Sequence, residues 1–143
     1  MAEEEEAAPP ESGEGKFVFP DGSKYDGAWL VKDGVKRRHG RGVYVDGDAE
    51  DQVYEGEWAD DMMQGRGTFR YASGATYEGE FLANKYEGFG KFKFPDGSVY
   101  EGNFKENQMH GAGTYTDATG VEWKGKFYNG TGPGLAAGVV VAK

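Results

Sequence analysis

Tyr54, Tyr77, Tyr100 and Trp123 lie 23 residues apart, and each is followed by a glycine two positions on and by Trp58, Phe81, Phe104 or Phe127 four positions on. Each is also preceded by a Gly-x-Gly: Gly40 and Gly42, Gly65 and Gly67, Gly88 and Gly90, Gly111 and Gly113. A fifth copy, the first in the chain, runs from Gly13 and Gly15 through Phe17 and Phe19 to Tyr25, Gly27 and Trp29. A fixed period of this size marks a repeat architecture in which each unit contacts mainly its neighbours. Few folds accept that constraint.

The best-formed copy, Gly88 to Phe104, sets the geometry. Phe94, Pro95, Asp96 and Gly97 suit a type I turn, with proline second and glycine fourth. Gly97 in the left-handed region then closes a three-residue hairpin loop with a bulge. That loop predicts Phe94 opposite Ser98, Phe92 opposite Tyr100 and Gly90 opposite Gly102. With a side-chain period of two, Phe92, Phe94, Tyr100 and Phe104 share one face, and Lys91, Lys93, Glu101 and Asn103 the other. A two-residue Asp-Gly turn would instead set Phe92 against Glu101 and mix the faces. The glycine pair leaves a notch in the aromatic face, which a ring from the adjacent unit is expected to fill. An isolated hairpin cannot bury its rings, so stacking is required.

Composition narrows the class further. Glycine contributes 25 of 143 residues and aromatics 15%, while leucine and isoleucine are nearly absent. That excludes a helical bundle with an aliphatic core. The expected fold is all-β, an elongated single-sheet solenoid of about five stacked antiparallel β-hairpins. Without cysteine there are no disulfides or thiolate metal sites, and a reducing, cytoplasmic setting is the default expectation. A net charge of −9 argues against nucleic acid and against an anionic membrane as general partners. No secretory signal is legible at the N-terminus, and the apolar run from Leu135 to Ala142 is far shorter than the ~20 residues of a membrane span. Asn129-Gly130-Thr131 has the form of a glycosylation acceptor, which matters only on secretion.

Three segments follow: an acidic leader, 1–12; five repeats, 13–127; and a Gly/Pro then apolar tail, 128–143. The leader reads as a disordered solvated segment or as an acidic docking strip for a basic partner. The tail could add a strand to a partner's sheet edge or cover the solenoid's own end. Between Tyr25 and Tyr54 the spacing is 29, so six residues are inserted. Four fall within Val31 to His39, the only basic cluster, read as a solvated loop or a partner-docking knuckle. Two fall within Asp46 to Asp51, where Asp46, Asp48 and Glu50 resemble the start of a calcium loop. Asp51 stands where such a loop needs glycine, which argues against calcium. In the last repeat, Asp117 replaces a ring and Ala118-Thr119-Gly120 replaces Pro-Asp-Gly, as suits an end cap.

The skeleton G-x-G-x-[FY]…D-G…Y-x-G-x-[FW] resembles the MORN repeat (membrane occupation and recognition nexus) over about residues 13–127. The five-repeat length, the stretch Gly113 to Phe127 and the later Pro133-Gly134-Leu135 look like the short MORN repeat-containing protein 2 group. The resemblance implies a rod of stacked β-hairpins without helices. It also implies kinship with structural parts of cilia and flagella, including radial-spoke heads and other axonemal complexes.

An enzyme is not expected. His39 and His110 both precede a Gly-x-Gly and read as repeat positions; no G-x-S-x-G, P-loop or metal-spaced histidine cluster is present, and no cofactor is implied. The expected function is a non-catalytic scaffold that binds protein subunits of a larger assembly, with localisation at the cytoskeleton of a cilium or flagellum axoneme. The alternative is a peripheral phospholipid-binding module using Lys32, Lys36, Arg37 and Arg38. Partner-binding candidates are Trp29, Trp58 and Trp123 as incompletely buried anchors, with Tyr54, Tyr77, Tyr100, Lys36, Arg37 and Arg38.

Overall fold

The computed structural model describes residues 11–47 and 51–128. Ten strands follow one another: β1 (Ser12–Val18), β2 (Lys24–Lys32), β3 (Val35–Asp46), β4 (Gln52–Ala59), β5 (Met62–Arg70), β6 (Thr76–Leu82), β7 (Lys85–Lys93), β8 (Val99–Lys105), β9 (Gln108–Thr116) and β10 (Glu122–Phe127). They form one open antiparallel sheet in chain order. No helix occurs among the described residues. The leader's residues 1–10, residues 48–50 of the acidic insert and the tail 129–143 lie outside them.

The register anticipated for the fourth unit is the observed one. Phe92 pairs with Tyr100 and Gly90 with Gly102. The Phe94 amide donates to the Ser98 carbonyl at 2.8 Å, and Gly97 takes φ +91°. Asp96 fixes this turn: its carboxylate accepts from the Ser98 amide at 2.9 Å and the Ser98 hydroxyl at 2.6 Å. Along β4, β6 and β8 every second side chain is buried.

A second kind of turn links successive units. Asp33-Gly34, Asp60-Asp61, Ala83-Asn84 and Glu106-Asn107 all have positive φ at both residues, the mark of two-residue type I′ hairpins. Beside each, the ladder is interrupted by a bulge, as between Gly79 and Phe81. The second turn residue then docks on the unit before it. Asn84 donates its amide to the Met63 carbonyl at 3.0 Å and accepts from the Met63 amide through Oδ1 at 2.8 Å. Asn107 does the same to Tyr86, at 3.1 and 2.8 Å. A short side chain thus substitutes for one rung of a strand.

The six inserted residues are strand, which corrects the loop reading of Val31 to His39. Trp29 pairs with Arg38, nine positions on, where Trp58 pairs with Met63, five on. The four extra residues add two rungs, Leu30 with Arg37 and Val31 with Lys36. Likewise Tyr44 pairs with Tyr54, and the two extra residues add a rung there. Both insertions are even in number, so neither moves a ring to the other face.

The core lies on the aromatic face. Alternate strands β2, β4, β6, β8 and β10 carry a file of rings running Tyr25, Trp58, Tyr54, Phe81, Tyr77, Phe104, Tyr100, Phe127. Successive members meet edge to face, with centroids 4.9 to 5.4 Å apart and planes at 78° to 90°. Each such pair contributes about 0.5–1.5 kcal/mol beyond its burial. Strands spaced ~4.8 Å apart would keep rings two strands away out of contact, were the intervening strand not flat. Glycine makes it flat. A Cβ at Gly90 would lie 2.5 to 2.7 Å from the Tyr77 ring and hydroxyl. The adjacent unit's ring therefore does fill the notch at Gly90, whereas Gly102 abuts the hydroxyl of its own unit's Tyr100. The tyrosine hydroxyls end on carbonyls at the bulges, Tyr77 on Glu80 at 2.7 Å and Tyr100 on Asn103 at 2.8 Å.

Candidate functional site: an aromatic and cationic cleft

The ring file has an unfinished beginning. Trp29 occupies the position held elsewhere by Trp58, Phe81 and Phe104, but no tyrosine precedes Tyr25 to meet it. Lys36 takes that place, its Nζ 4.0 Å from the Trp29 ring centroid and 5.3 Å from that of Phe17. The two-rung insertion is what brings Lys36 there. Next along β3, two residues on and on the same face, Arg38 sits where later units carry Met63, Tyr86 and Met109. Its guanidinium lies 4.3 Å from the Trp58 ring, 5.3 Å from Tyr44 and 6.0 Å from Phe19.

Between these groups and the first hairpin turn opens a cleft of about 650 Å³, walled by Phe17, Phe19, Tyr25, Trp29 and Tyr44 and edged by Lys36, Arg38 and Asp61. The two cations differ. Arg38 Nε donates to Asp61 Oδ1 at 2.6 Å, and its terminal nitrogen donates to the Asp61 carbonyl at 3.1 Å. Burial acts to raise the Asp61 carboxyl, but its hydrogen bonds with Arg38 outweigh that and hold it below the ordinary value. Lys36 faces rings, and among the described residues no carboxylate lies within ion-pair distance of it. Burial pushes the Tyr25 phenol up to about 12, so it stays neutral and donates to the Ala28 carbonyl at 2.6 Å. Apolar walls with one cation unpaired by any described carboxylate suit an extended segment carrying apolar side chains and an acid.

Several sequence candidates fall elsewhere. Trp58 is 5% exposed and Tyr54, Tyr77 and Tyr100 are fully buried, so these four hold the core and present no surface; this corrects the expectation that Trp58 is an open anchor. Trp123 is 48% exposed, on β10 at the far end of the sheet. Trp29, Lys36 and Arg38 are brought together. Arg37 alternates to the polar face. Phe17, Phe19 and Tyr44 were not anticipated as site residues; the alternation of Lys36 and Arg38 with the ring positions of β3 is the signal that would have placed them. Among the described residues no group of three or more His, Asp or Glu could hold a metal ion. His39, on β3, accepts from the Asp60 amide at 3.3 Å, and His110, on β9, lies six strands away beside Tyr128.

Compared with models of known families, the chain matches the MORN repeat over residues 11–24, 36–49, 54–76, 77–99 and 100–121. None of the curated proteins matches it.

Proposed function

The chain belongs to the MORN-repeat family, and from that premise we propose that it is a non-catalytic scaffold subunit that grips a protein partner in the cleft between β1, β2 and β3. Repeats of this family serve in protein-binding and membrane-binding modules. The observation that carries the protein-binding reading is Lys36 over Trp29, in a cleft whose walls are rings. The buried rings supply stiffness, and the polar face presents mixed charges such as Arg66 opposite Glu80 and Lys91 opposite Glu101. The finer reading, a subunit of an axonemal complex such as a radial spoke in a cilium or flagellum and kinship with the short MORN repeat-containing protein 2 group, rests on the sequence resemblance alone.

Replacing Trp29→Ala together with Lys36→Glu removes both the wall and the charge. Partner capture by the full chain is expected to fall by at least about tenfold, the scale of one anchor residue, with an unchanged circular dichroism spectrum. Undiminished capture by a folded variant would refute the cleft as the site. A tagged copy in ciliated cells is expected along the axoneme; a purely cytosolic signal removes that assignment. The membrane reading draws on the cations of β2 and β3, but Lys32 pairs with Asp60 at 3.2 Å and Arg38 with Asp61 at 2.6 Å, which leaves less charge for a bilayer. Flotation with phosphoinositide vesicles that depends on those lipids would reverse the ranking.

A further inference from the structure

The contact between successive units occurs four times inside the chain, and each end of the sheet presents one half of a fifth. In every internal case the second strand of one unit pairs with the first strand of the next: β2 with β3, β4 with β5, β6 with β7 and β8 with β9. Among the described residues β10 is a second strand without a successor, and β1 is a first strand without a predecessor. The two open edges are therefore the two sides of one kind of contact.

The residues at these edges keep the pattern. At each internal contact a glycine of one unit lies opposite a glycine of the next: Gly27 and Gly42, Gly56 and Gly67, Gly79 and Gly90, Gly102 and Gly113. The approach is close, since a Cβ on Gly102 would lie 2.5 Å from the Gly113 Cα. A tyrosine of the first unit then covers the glycine of the second, so that a Cβ on Gly113 would meet the Tyr100 ring at 2.6 Å. Gly125 and Trp123 on β10 and Gly15 on β1 are left over. Trp123 stands half-exposed where its counterparts Tyr25, Tyr54, Tyr77 and Tyr100 are buried. Gly15 is not required by its own fold: an added Cβ would meet nothing nearer than the Phe17 ring at 3.4 Å, an ordinary contact, although glycine weakens a strand.

Charge at the edges fits as well. The residue after each second-strand glycine reaches the backbone in the middle of the next Gly-x-Gly. Glu57 accepts from the Arg66 amide at 2.5 Å, Glu80 accepts from the Phe89 amide at 2.8 Å, and Asn103 donates to the Ala112 carbonyl at 3.2 Å. On β10 that residue is Lys126, and on β1 the middle residue is Glu14, so the fifth contact sets a cation beside an acid. One position opposes it. Lys124 stands where the other units carry Asp26, Glu55, Glu78 and Glu101, and it would face Lys16. Lys124 lies 3.8 Å from Glu122, and Lys16 is opposite Asp26, so this like pair sits among acids and weakens the contact without altering its register.

We propose that the chain assembles head to tail with a second copy of itself. The β10 edge of one copy pairs antiparallel with the β1 edge of the next, with Glu122 opposite Val18, Trp123 opposite Phe17, Lys124 opposite Lys16 and Gly125 opposite Gly15. Trp123 brings its ring to Gly15, and the ring file passes from one molecule into the next. The two surfaces are unlike, so the contact does not close on itself and copies add in an open series. Only four rungs hold it, which makes it weak and dependent on concentration. It lies along the sheet edges and does not rest on what the cleft holds.

Sedimentation velocity of the full chain over a concentration series tests this. The weight-average mass is expected to climb with concentration through the dimer and beyond. Gly15→Ala, which its own fold accommodates, should weaken association by about tenfold or more with an unchanged circular dichroism spectrum. Trp123→Glu, which removes the ring and sets an acid opposite Phe17, should do the same. Lys124→Glu restores the acid of the other units opposite Lys16 and should strengthen association by about threefold. A mixture of Gly15→Ala with Trp123→Glu holds one intact edge of each kind, and should form heterodimers at the strength of the unmodified contact. An unmodified chain that stays monomeric at every concentration, or that stops at a dimer, would overturn the proposal. So would association unaltered by Gly15→Ala, or a mixture no more associated than its components. Association unchanged by Lys124→Glu would overturn the register.

Discussion

At the scale of single residues, some glycines are notches under a ring and others are merely turns. Gly90→Ala places a methyl into the Tyr77 ring and is expected to cost roughly 2 kcal/mol or more, the range of overpacking in a tight core. At Gly97 nothing lies within 4 Å of the added methyl, and the cost is the ~1 kcal/mol of a left-handed alanine. Urea unfolding of the two variants should show that ordering, and equal losses would contradict the notch. The tyrosines give a pH test. Burial raises the phenols of Tyr25 and Tyr100 to about 12 and those of Tyr54 and Tyr77 further, each from an ordinary value of 10. The folded chain keeps protons that the unfolded chain releases above pH 10, so stability is full below pH 10 and declines as pH climbs from 10 toward 12. Phenolate absorbance at 295 nm should therefore rise together with loss of the far-ultraviolet signal. Ionisation of all nine tyrosines at pH 10 in a folded chain would contradict the burial.

Among elements, the hairpins differ in how openly the sequence declares them. Pro95-Asp96-Gly97 and its relatives announce one turn per unit, and the register of Phe92 with Tyr100 follows from loop length alone. The connecting turns are hidden. Asp33-Gly34 has I′ chemistry on its face, but Asp60-Asp61, Ala83-Asn84 and Glu106-Asn107 take positive φ without a glycine, held there by docking on the previous unit. The cleft was half legible for a related reason. Lys36 and Arg38 look like loop cations until the insertion is counted as paired rungs, and Trp58 looks open until Gly42 lets it reach Tyr25. Asn84→Gly, which retains the turn and its backbone bond but loses the bond that Oδ1 accepts from the Met63 amide, should cost ~1 kcal/mol. Asn84→Ala, which also loses the residue's tolerance of φ +71°, should cost more. The insertion yields a parity test. Deleting Val31 and Lys36 together removes one rung and should leave a folded sheet; deleting Val31 alone slips the register and should lower the melting temperature far more.

For the molecule as a whole, a file of rings that starts at Tyr25 and ends at Phe127 makes a stiff sheet whose two ends are chemically unlike. The first end holds Trp29, Lys36 and a cleft of about 650 Å³; the last holds Trp123, 48% exposed on β10. On the proposed reading, the cleft end is planted on a partner and the rest of the sheet projects from it. The most direct measurement is quantitative affinity purification of the full chain and of Trp29→Ala/Lys36→Glu from ciliated cells, with folding of both confirmed by circular dichroism. A defined set of partner proteins that is recovered with the unmodified chain and lost with the cleft variant is the predicted result. The same set recovered equally with both would contradict the claim that the cleft is where this scaffold holds its partner.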